Sequence, residues 1–538
     1  MTARENKKPI GTVAFVGAGP GDAGLLTVRA TELLATADTV VVDSADRRAV
    51  VARHCREGVE VLDAGFGENG QPLTHAGRAK IVTRAARAGA RVVRLLDGDA
   101  ATFAGLAEEV LACHKVGIAF EVVPGVSSAS AVPLYAGVPL TTAQTGAVHV
   151  VDASASRLDT ASLLDERSTV VLVGGRDDLA AAARALVAAG RSAEAEVTVT
   201  AHGTTTEQRT EVAALGDLAD VLEQADEAGW PKPLVAVTGP GVALRDRASW
   251  FENKPLFGWR VLVPRTQQQS GPMCARLADY GAVSDVVPTI SVEPPRTPHQ
   301  MEKAVKGLVT GRYEWVGFTS VNAVRAVRDK FCEFGLDARA FAGLKIAAVG
   351  GVTADALREW GIEPDLVPAD EQSAHGLLAE WPPYDEVLDP INRVFLPRAD
   401  IATDTLVAGL QEIGWEVDDV TAYRTVRAAP PVAPIRDAIK NGSFDAVVFT
   451  SSSTVRNLVG IAGKPHPSTV VACIGPATAK TAEEHGLRVD VLAAEPSADA
   501  LVGGLAEYGT GLRVAAAEAG EPVLRPSERR PAARRRAR

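Results

Sequence analysis

The residues best suited to chemistry in the second half of the chain sit at repeated strand-to-helix junctions. GFTSVNAV at 317–324 returns as VFTSSSTV at 448–455. In each copy an apolar strand-like run ends in Phe-Thr-Ser and a helical pattern follows. A helix start exposes unpaired N–H groups and the positive end of the helix dipole. Thr319, Ser320, Thr450, Ser451 and Ser452 can therefore cap their own helices, at about 1 kcal/mol each, or hold a negative ligand. Capping alone explains any one junction; a set of them on matching elements points to an anion site.

Two further pairs complete such a set. VLVPRT matches VFLPRA, which pairs Arg265 with Arg398, and IAAVGGVTADALREWGIEPDLV (346–367) matches VACIGPATAKTAEEHGLRVDVL (471–492), which adds Thr353, Gly475 and Thr478. The three matches occur at nearly constant offset, the signature of an internal duplication. They predict two similar α/β lobes with a binding cleft between them. Few basic residues accompany the junctions, so carboxylates would be held by helix termini and hydroxyls, with Arg265 and Arg398 as the exceptions.

A chain of 538 residues exceeds one core and predicts several domains. Short β-branched runs (VAFVG, DTVVVD, RVVRL, STVVLVGG, PLVAVTG) alternate with Ala/Leu-rich helical stretches up to about residue 245, an α/β pattern throughout. SWFENKPLFGW at 249–259 interrupts it, and the pattern restarts at VLVPRT. The expected layout is a first domain at 11–250, a linker at 251–258, a second domain at 259–510 and a disordered basic tail at 511–538. A net charge of −11 argues against nucleic acid as a partner, no run is apolar enough to span a membrane, and the start lacks a signal-peptide core, so a cytoplasmic location is expected. Five scattered cysteines without metal spacing predict buried thiols and no metal site.

Taken in order and spacing, VLVPRT, YEWVGFTSVNAV, IAAVGGVTADAL, VFLPRA, VTAYRTV, FTSSSTVRNL and CIGPATAKTA resemble uroporphyrinogen-III synthase over 259–510. The resemblance implies one lobe from 259–292 plus 428–510 and another from 293–427. It also implies a cofactor-free closure of the linear tetrapyrrole hydroxymethylbilane to uroporphyrinogen III, with ring D inverted. Tyr423 of VTAYRT matches the tyrosine suspected of helping the terminal hydroxyl leave. A two-lobed anion-binding sensor is the alternative reading of the same pattern.

GTVAFVGAGPGD at 11–22, with Asp43 about 20 residues on, invites a dinucleotide-binding reading. Asp22 at the third glycine position and Pro20 in the turn weaken it. VGAGPGDAGLLTVRA, VVRLLDGDAATF, FEVVPGVSSASAVPLYAGVPLT and AHGTTTEQRTEV together resemble the tetrapyrrole methylases, specifically uroporphyrinogen-III C-methyltransferase, over about 12–250. That family uses S-adenosylmethionine (SAM) in a cleft between two α/β subdomains. The resemblance places Pro20, Asp97, Gly98, Asp99, Thr102, Ser127, Ser128, Gly174 and Gly203 at the cofactor and makes Asp43 the proton acceptor. There are departures: Phe66 or a neighbour replaces a lysine, Asp97 a glycine and Ala100 a proline. Three readings stand for this half: an active methyltransferase, a domain that binds without turnover, and a structural remnant. A homodimer of this half is an allowed assembly.

Overall fold

The computed structural model describes residues 10–529 apart from 44–47, 68, 69, 104, 156, 157, 228, 229, 231–233 and 403. Two compact units divide it: one holds residues up to Trp259 with Leu277–Val283 and Ala506–Val523, the other Arg260–Arg276, Ser284–Leu505 and the chain from Leu524.

The first unit contains two sheets. Strands β1 (Thr12–Gly17), β2 (Thr39–Val42), β3 (Glu60–Asp63), β4 (Arg91–Leu96) and β5 (Phe120–Val123) lie in the order β3-β2-β4-β1-β5, every pair parallel. The near-continuous burial of the three inner strands β1, β2 and β4 is what a sheet covered on both faces demands. The turns that follow β4, β1 and β5 therefore leave one sheet end side by side. Strands β6 (Ala147–Asp152), β7 (Ser168–Gly174), β8 (Glu196–Ala201), β9 (Arg209–Ala214) and β10 (Leu234–Thr238) form a mixed sheet, β6-β7-β10-β8-β9.

The second unit also contains two sheets. Its strands are β11 (Arg260–Val263), β12 (Val283–Val286), β13 (Ile290–Glu293), β14 (Trp315–Phe318), β15 (Lys345–Ala348), β16 (Arg393–Ala399), β17 (Glu416–Arg427), β18 (Ala446–Phe449), β19 (Val470–Cys473) and β20 (Val491–Leu492). One sheet runs β12-β11-β18-β19-β20, the other β13-β17-β16-β14-β15. The strands that carry the duplicated motifs, β11-β18-β19 and β16-β14-β15, are parallel neighbours in matching positions. Even β20 has a counterpart, reduced to a single parallel bridge between Ala347 and Leu366. The Phe of each Phe-Thr-Ser, Phe318 and Phe449, is fully buried. Truncating either to Ala is expected to cost about 3–5 kcal/mol in a denaturation experiment.

Three boundaries differ from expectation. β13 pairs antiparallel with the end of β17, so the first crossing between lobes lies before Ile290 and not at 292/293. The 251–258 stretch is packed and does not behave as a free linker: Leu256 is fully buried and Phe251 nearly so, in an edge-on cluster with Tyr135, Trp250 and Phe257. Of the tail expected to be disordered, 511–519 continues the helix Ala498–Ala519, and Ser527 donates its backbone N–H to the buried carboxylate of Asp445. Residues 530–538 lie outside the described residues.

Candidate active sites

In the second unit the duplication extends to backbone angles. Ser320 precedes the helix Val321–Glu333 at φ −167°, ψ 157°, and Ser451 precedes Ser452–Ala462 at φ −168°, ψ 160°. Gly350 and Gly475 repeat the match ahead of Gly351–Glu359 and Pro476–Glu484, at φ 179°, ψ 174° and φ −174°, ψ 173°. Ser320 Oγ accepts the N–H of Ala323 at 3.2 Å and Ser451 Oγ that of Thr454 at 3.3 Å. Both are thus ordinary N-caps as well as candidate ligand groups. Ser452 Oγ donates to the carbonyl of Ala477 at 2.9 Å, which ties the second and third junctions of that lobe together.

Tyr423 adds a phenol hydroxyl to one of these junctions. The pairing of β16 with β17 slips between Arg398 and Ala399, so that Arg398 faces Thr421 and Ala399 faces Tyr423. Such a bulge re-aims the side chains beyond it. The Tyr423 ring is 7% exposed within the apolar core, and its hydroxyl lies 2.9 Å from Ser320 Oγ. The hydroxyl thus reaches past β16 to the start of the helix that follows β14.

Other expected ligands divide differently. Arg398 is 8% exposed, and its guanidinium is held by Asp419 and by Asp404 at 3.0 Å. The hydrogen bonds it donates to Asp419 and Asp404 hold its pKa above the ordinary arginine value, so Arg398 reads as a structural ion pair. Arg265, its counterpart, has no side-chain partner among the described residues. Thr353 and Thr478 are 5% and 4% exposed, inside the first turns of their helices. Thr319, Thr450 and Gly475 are half-buried at the strand ends, and a side chain at Gly475 would meet nothing within 4 Å. Sequence reasoning missed Gln372, whose amide oxygen accepts the N–H of Gly351 at 3.0 Å. No periodic signal marks a cap contributed from a loop so far along the chain.

In the first unit, the three adjacent turns meet. Gly19 and Gly98 exchange backbone hydrogen bonds at 3.1 and 3.0 Å, which joins the Pro20 turn to the Asp97-Gly98-Asp99 turn. Asp99 Oδ1 accepts the N–H of Ala101 at 3.3 Å and of Gly125 at 3.4 Å. Ser127 caps the helix Ser128–Tyr135, and Ser128 lies against Gly98. From the second sheet, the loop after β8 joins them: Asp22 N–H donates to Thr204 Oγ1 at 3.0 Å, and Gly203 packs against Val132. His202 and Thr204 hold φ of 48° and 67° there. A β-branched residue in that region is strained, a mark of over-determined functional loops. Gly174 ends β7 at the same end of its sheet as this loop, one strand away, but its nearest neighbours are Ala153 and Asp178. Thr102 is exposed on a short helical turn, its hydroxyl bonded to the Asp99 carbonyl at 3.0 Å. Phe66 is 63% exposed.

Comparison with known proteins shows the family. Residues 12–219 match the family model for tetrapyrrole (corrin/porphyrin) methylases and residues 272–503 that for uroporphyrinogen-III synthase HemD. The porphyrin biosynthesis protein HemD of Ruminiclostridium josui is 31% identical over 93% of this chain and 99% of that protein. The chain belongs to the HemD family. It is a fusion of a methylase domain and a synthase domain, as expected from the sequence. The uroporphyrinogen-III C-methyltransferase of Bacillus subtilis is 31% identical over 62% of this chain and 67% of its own length. A uroporphyrin-III C-methyltransferase from Thermus thermophilus, solved with S-adenyl homocysteine, is 28% identical, covers 43% of this chain and 93% of its own, and has a TM-score of 0.35.

Among the described residues this HemD relative has no helix long and apolar enough to cross a membrane and no cluster of metal-ligand side chains. Its thiols are only partly as expected: Cys113 and Cys473 are buried, Cys55 and Cys274 half-buried and Cys332 exposed. Burial pushes Cys113 up to about 11 and Cys473 up to about 12, helped by Glu109 and Glu483. At pH 8 both remain neutral thiols, the unreactive form. Iodoacetamide on the native protein should therefore label Cys332 first and reach Cys113 and Cys473 only after unfolding, as read by peptide mass mapping.

Proposed function

We propose that the synthase domain closes hydroxymethylbilane to uroporphyrinogen III and that the methylase domain then transfers methyl groups from SAM to that product. The observation that carries the reading is the set of matched helix starts on adjacent parallel strands, with the Tyr423 hydroxyl hydrogen-bonded to one of them. Unpaired N–H groups at such starts hold carboxylates without a positive protein, which reconciles a polyacidic substrate with a net charge of −11.

In the closure, Tyr423 donates its proton to the departing hydroxide, and Ser320 holds the phenol in place. The cationic pyrrole methylene left behind is attacked by the last ring at its substituted carbon, and fragmentation with reclosure inverts that ring. Arg265 anchors one substrate carboxylate. Replacing it with Ala is expected to raise KM about 10-fold to 100-fold, the value of one charge-assisted hydrogen bond, with stability unchanged within about 0.5 kcal/mol. Arg398→Ala is expected to do the reverse. It lowers stability by about 2 kcal/mol through the loss of hydrogen bonds to charged partners and leaves KM within a few-fold. Denaturant titration and initial rates on both variants check this pair.

The residues of the methylase domain fit SAM. Asp97 and Asp99 supply negative charge suited to a sulfonium and an ammonium, and Gly98 (φ 63°) would place a side chain no closer than 3.6 Å to its neighbours. When bound, SAM supplies an electrophilic methyl group. Pro20, Ser127, Ser128 and Gly203 shape the walls, and Asp43 accepts the proton that the methylated ring gives up. Full-length protein supplied with hydroxymethylbilane and SAM together should form a methylated type III tetrapyrrole. Unmethylated type III would leave only the synthase reading, and unmethylated type I would remove both.

A further inference from the structure

Among the described residues Arg94 is the largest fully buried side chain, and it is a cation. It sits on β4, opposite Val41 of β2. Its Nε donates to Glu109 Oε2 at 2.9 Å and its Nη2 to Glu109 Oε1 at 3.1 Å, so the two form a bidentate pair. Glu109 is likewise fully buried. Nη1 donates to the Leu95 carbonyl at 3.0 Å. Burial works against the charge on Arg94, but Glu109 and Asp43 outweigh it and its pKa is raised. A guanidinium and a carboxylate without solvent are a costly way to hold a sheet together, and apolar residues of similar volume commonly do it as well.

The pair makes one further contact. Nη2 of Arg94 also donates to Asp43 Oδ2 at 2.8 Å. Asp43 follows β2, and its side chain keeps 24% exposure. Among the described residues its other oxygen, Oδ1, is buried and accepts no hydrogen bond; Arg78 Nε lies 3.5 Å away and is itself given to the Ala64 carbonyl. The carboxylate of Asp43 is thus fixed from behind through Oδ2, while part of its side chain stays exposed. This is the base-plus-orienter arrangement by which enzymes aim a proton acceptor.

We propose that Arg94, itself fixed by Glu109, is a positioning residue that holds the Asp43 carboxylate in place for the substrate of the methylase domain. The inference rests on the methyltransferase reading above and adds the residues that act through Asp43. A pyrrole carbon takes the methyl group with its own π electrons while sulfur keeps the pair of the broken bond. The cationic ring then loses a proton to the Asp43 carboxylate, and the released electron pair restores a neutral ring. Arg94 keeps its proton throughout, and Glu109 offsets its charge when Asp43 is neutralised.

A double-mutant cycle on the full-length protein tests this, with uroporphyrinogen III and SAM as substrates. Asp43→Asn is expected to lower kcat for methylation about 100-fold or more, the loss of a general base. Glu109→Gln is expected to lower it about 10-fold. The double variant should be no slower than Asp43→Asn alone, within about threefold, because Glu109 has nothing left to act through. The SAM dissociation constant, read by calorimetry without turnover, should stay within about twofold in every variant. If Glu109→Gln does not fold, Arg94→Lys, which keeps the charge and loses the fork, takes its place in the cycle with the same expectation. Multiplicative losses in the double variant, or wild-type turnover in Glu109→Gln, overturn the proposal. SAM-dependent methylation with multiplicative losses overturns it alone, whereas a wild-type protein that binds no SAM and methylates nothing overturns the methyltransferase reading and this inference together.

Discussion

Tyr423→Phe is expected to lower the rate of ring closure about 100-fold or more while the residual product remains type III. The rate falls because the phenol stands at a matched helix start, 2.9 Å from Ser320 Oγ, and a positioned general acid is worth about 10²–10⁴-fold. The isomer is retained because the grip on the carboxylates, which decides how the chain folds back, belongs to the helix starts and not to the phenol. Stability should change by only about 1 kcal/mol, the worth of the single hydrogen bond lost. Ser320→Ala should fall between, since it removes both a helix cap and the hydroxyl that holds the phenol. Rapid-quench rates with isomer analysis separate these effects. A Tyr423→Phe enzyme at wild-type speed would remove the phenol from the chemistry.

Gly125→Ala is expected to weaken SAM binding at least tenfold and leave ring closure untouched. A Cβ at Gly125 would lie 2.3 Å from the Gly98 carbonyl oxygen and 2.7 Å from Gly17 Cα. Both obstacles are backbone, so no side chain can turn aside, and overpacking of this kind costs about 1–3 kcal/mol even where the structure yields. Here it yields only by parting the turns after β1, β4 and β5. The synthase strands form a separate compact unit, and their activity is the internal control. Calorimetric titration with SAM reads the first effect and initial rates with hydroxymethylbilane the second. Unchanged affinity would mean that these turns do not hold the cofactor.

The parts of the fold that were legible in the sequence are those written as local patterns. Phe-Thr-Ser and the Gly-containing turns recur because each strand must end in a buried ring and each helix must start on a cap, and the two sheets of the second unit follow. Long-range pairings leave no such trace. Arg265 and Arg398 look equivalent as the two "PR" arginines, yet Asp404 and Asp419 claim only Arg398, because β17 brings a carboxylate to one lobe only. The bulge that aims Tyr423 is invisible in VTAYRT itself. Asp43 could be picked out at a strand end, but Arg94 and Glu109 behind it read as an ordinary strand residue and an ordinary helix residue. The helix Ala498–Ala519 runs past 510, where the tail is expected to begin, because the glycines of VGGLAEYGTG look like breakers in the sequence although the helix continues through them.

The most direct test of the account is the isomer formed from hydroxymethylbilane by the full-length protein without SAM, trapped early and oxidised to porphyrin for chromatography. The account predicts type III well above the level in an enzyme-free control. Type I alone, the product of unassisted closure, would contradict it.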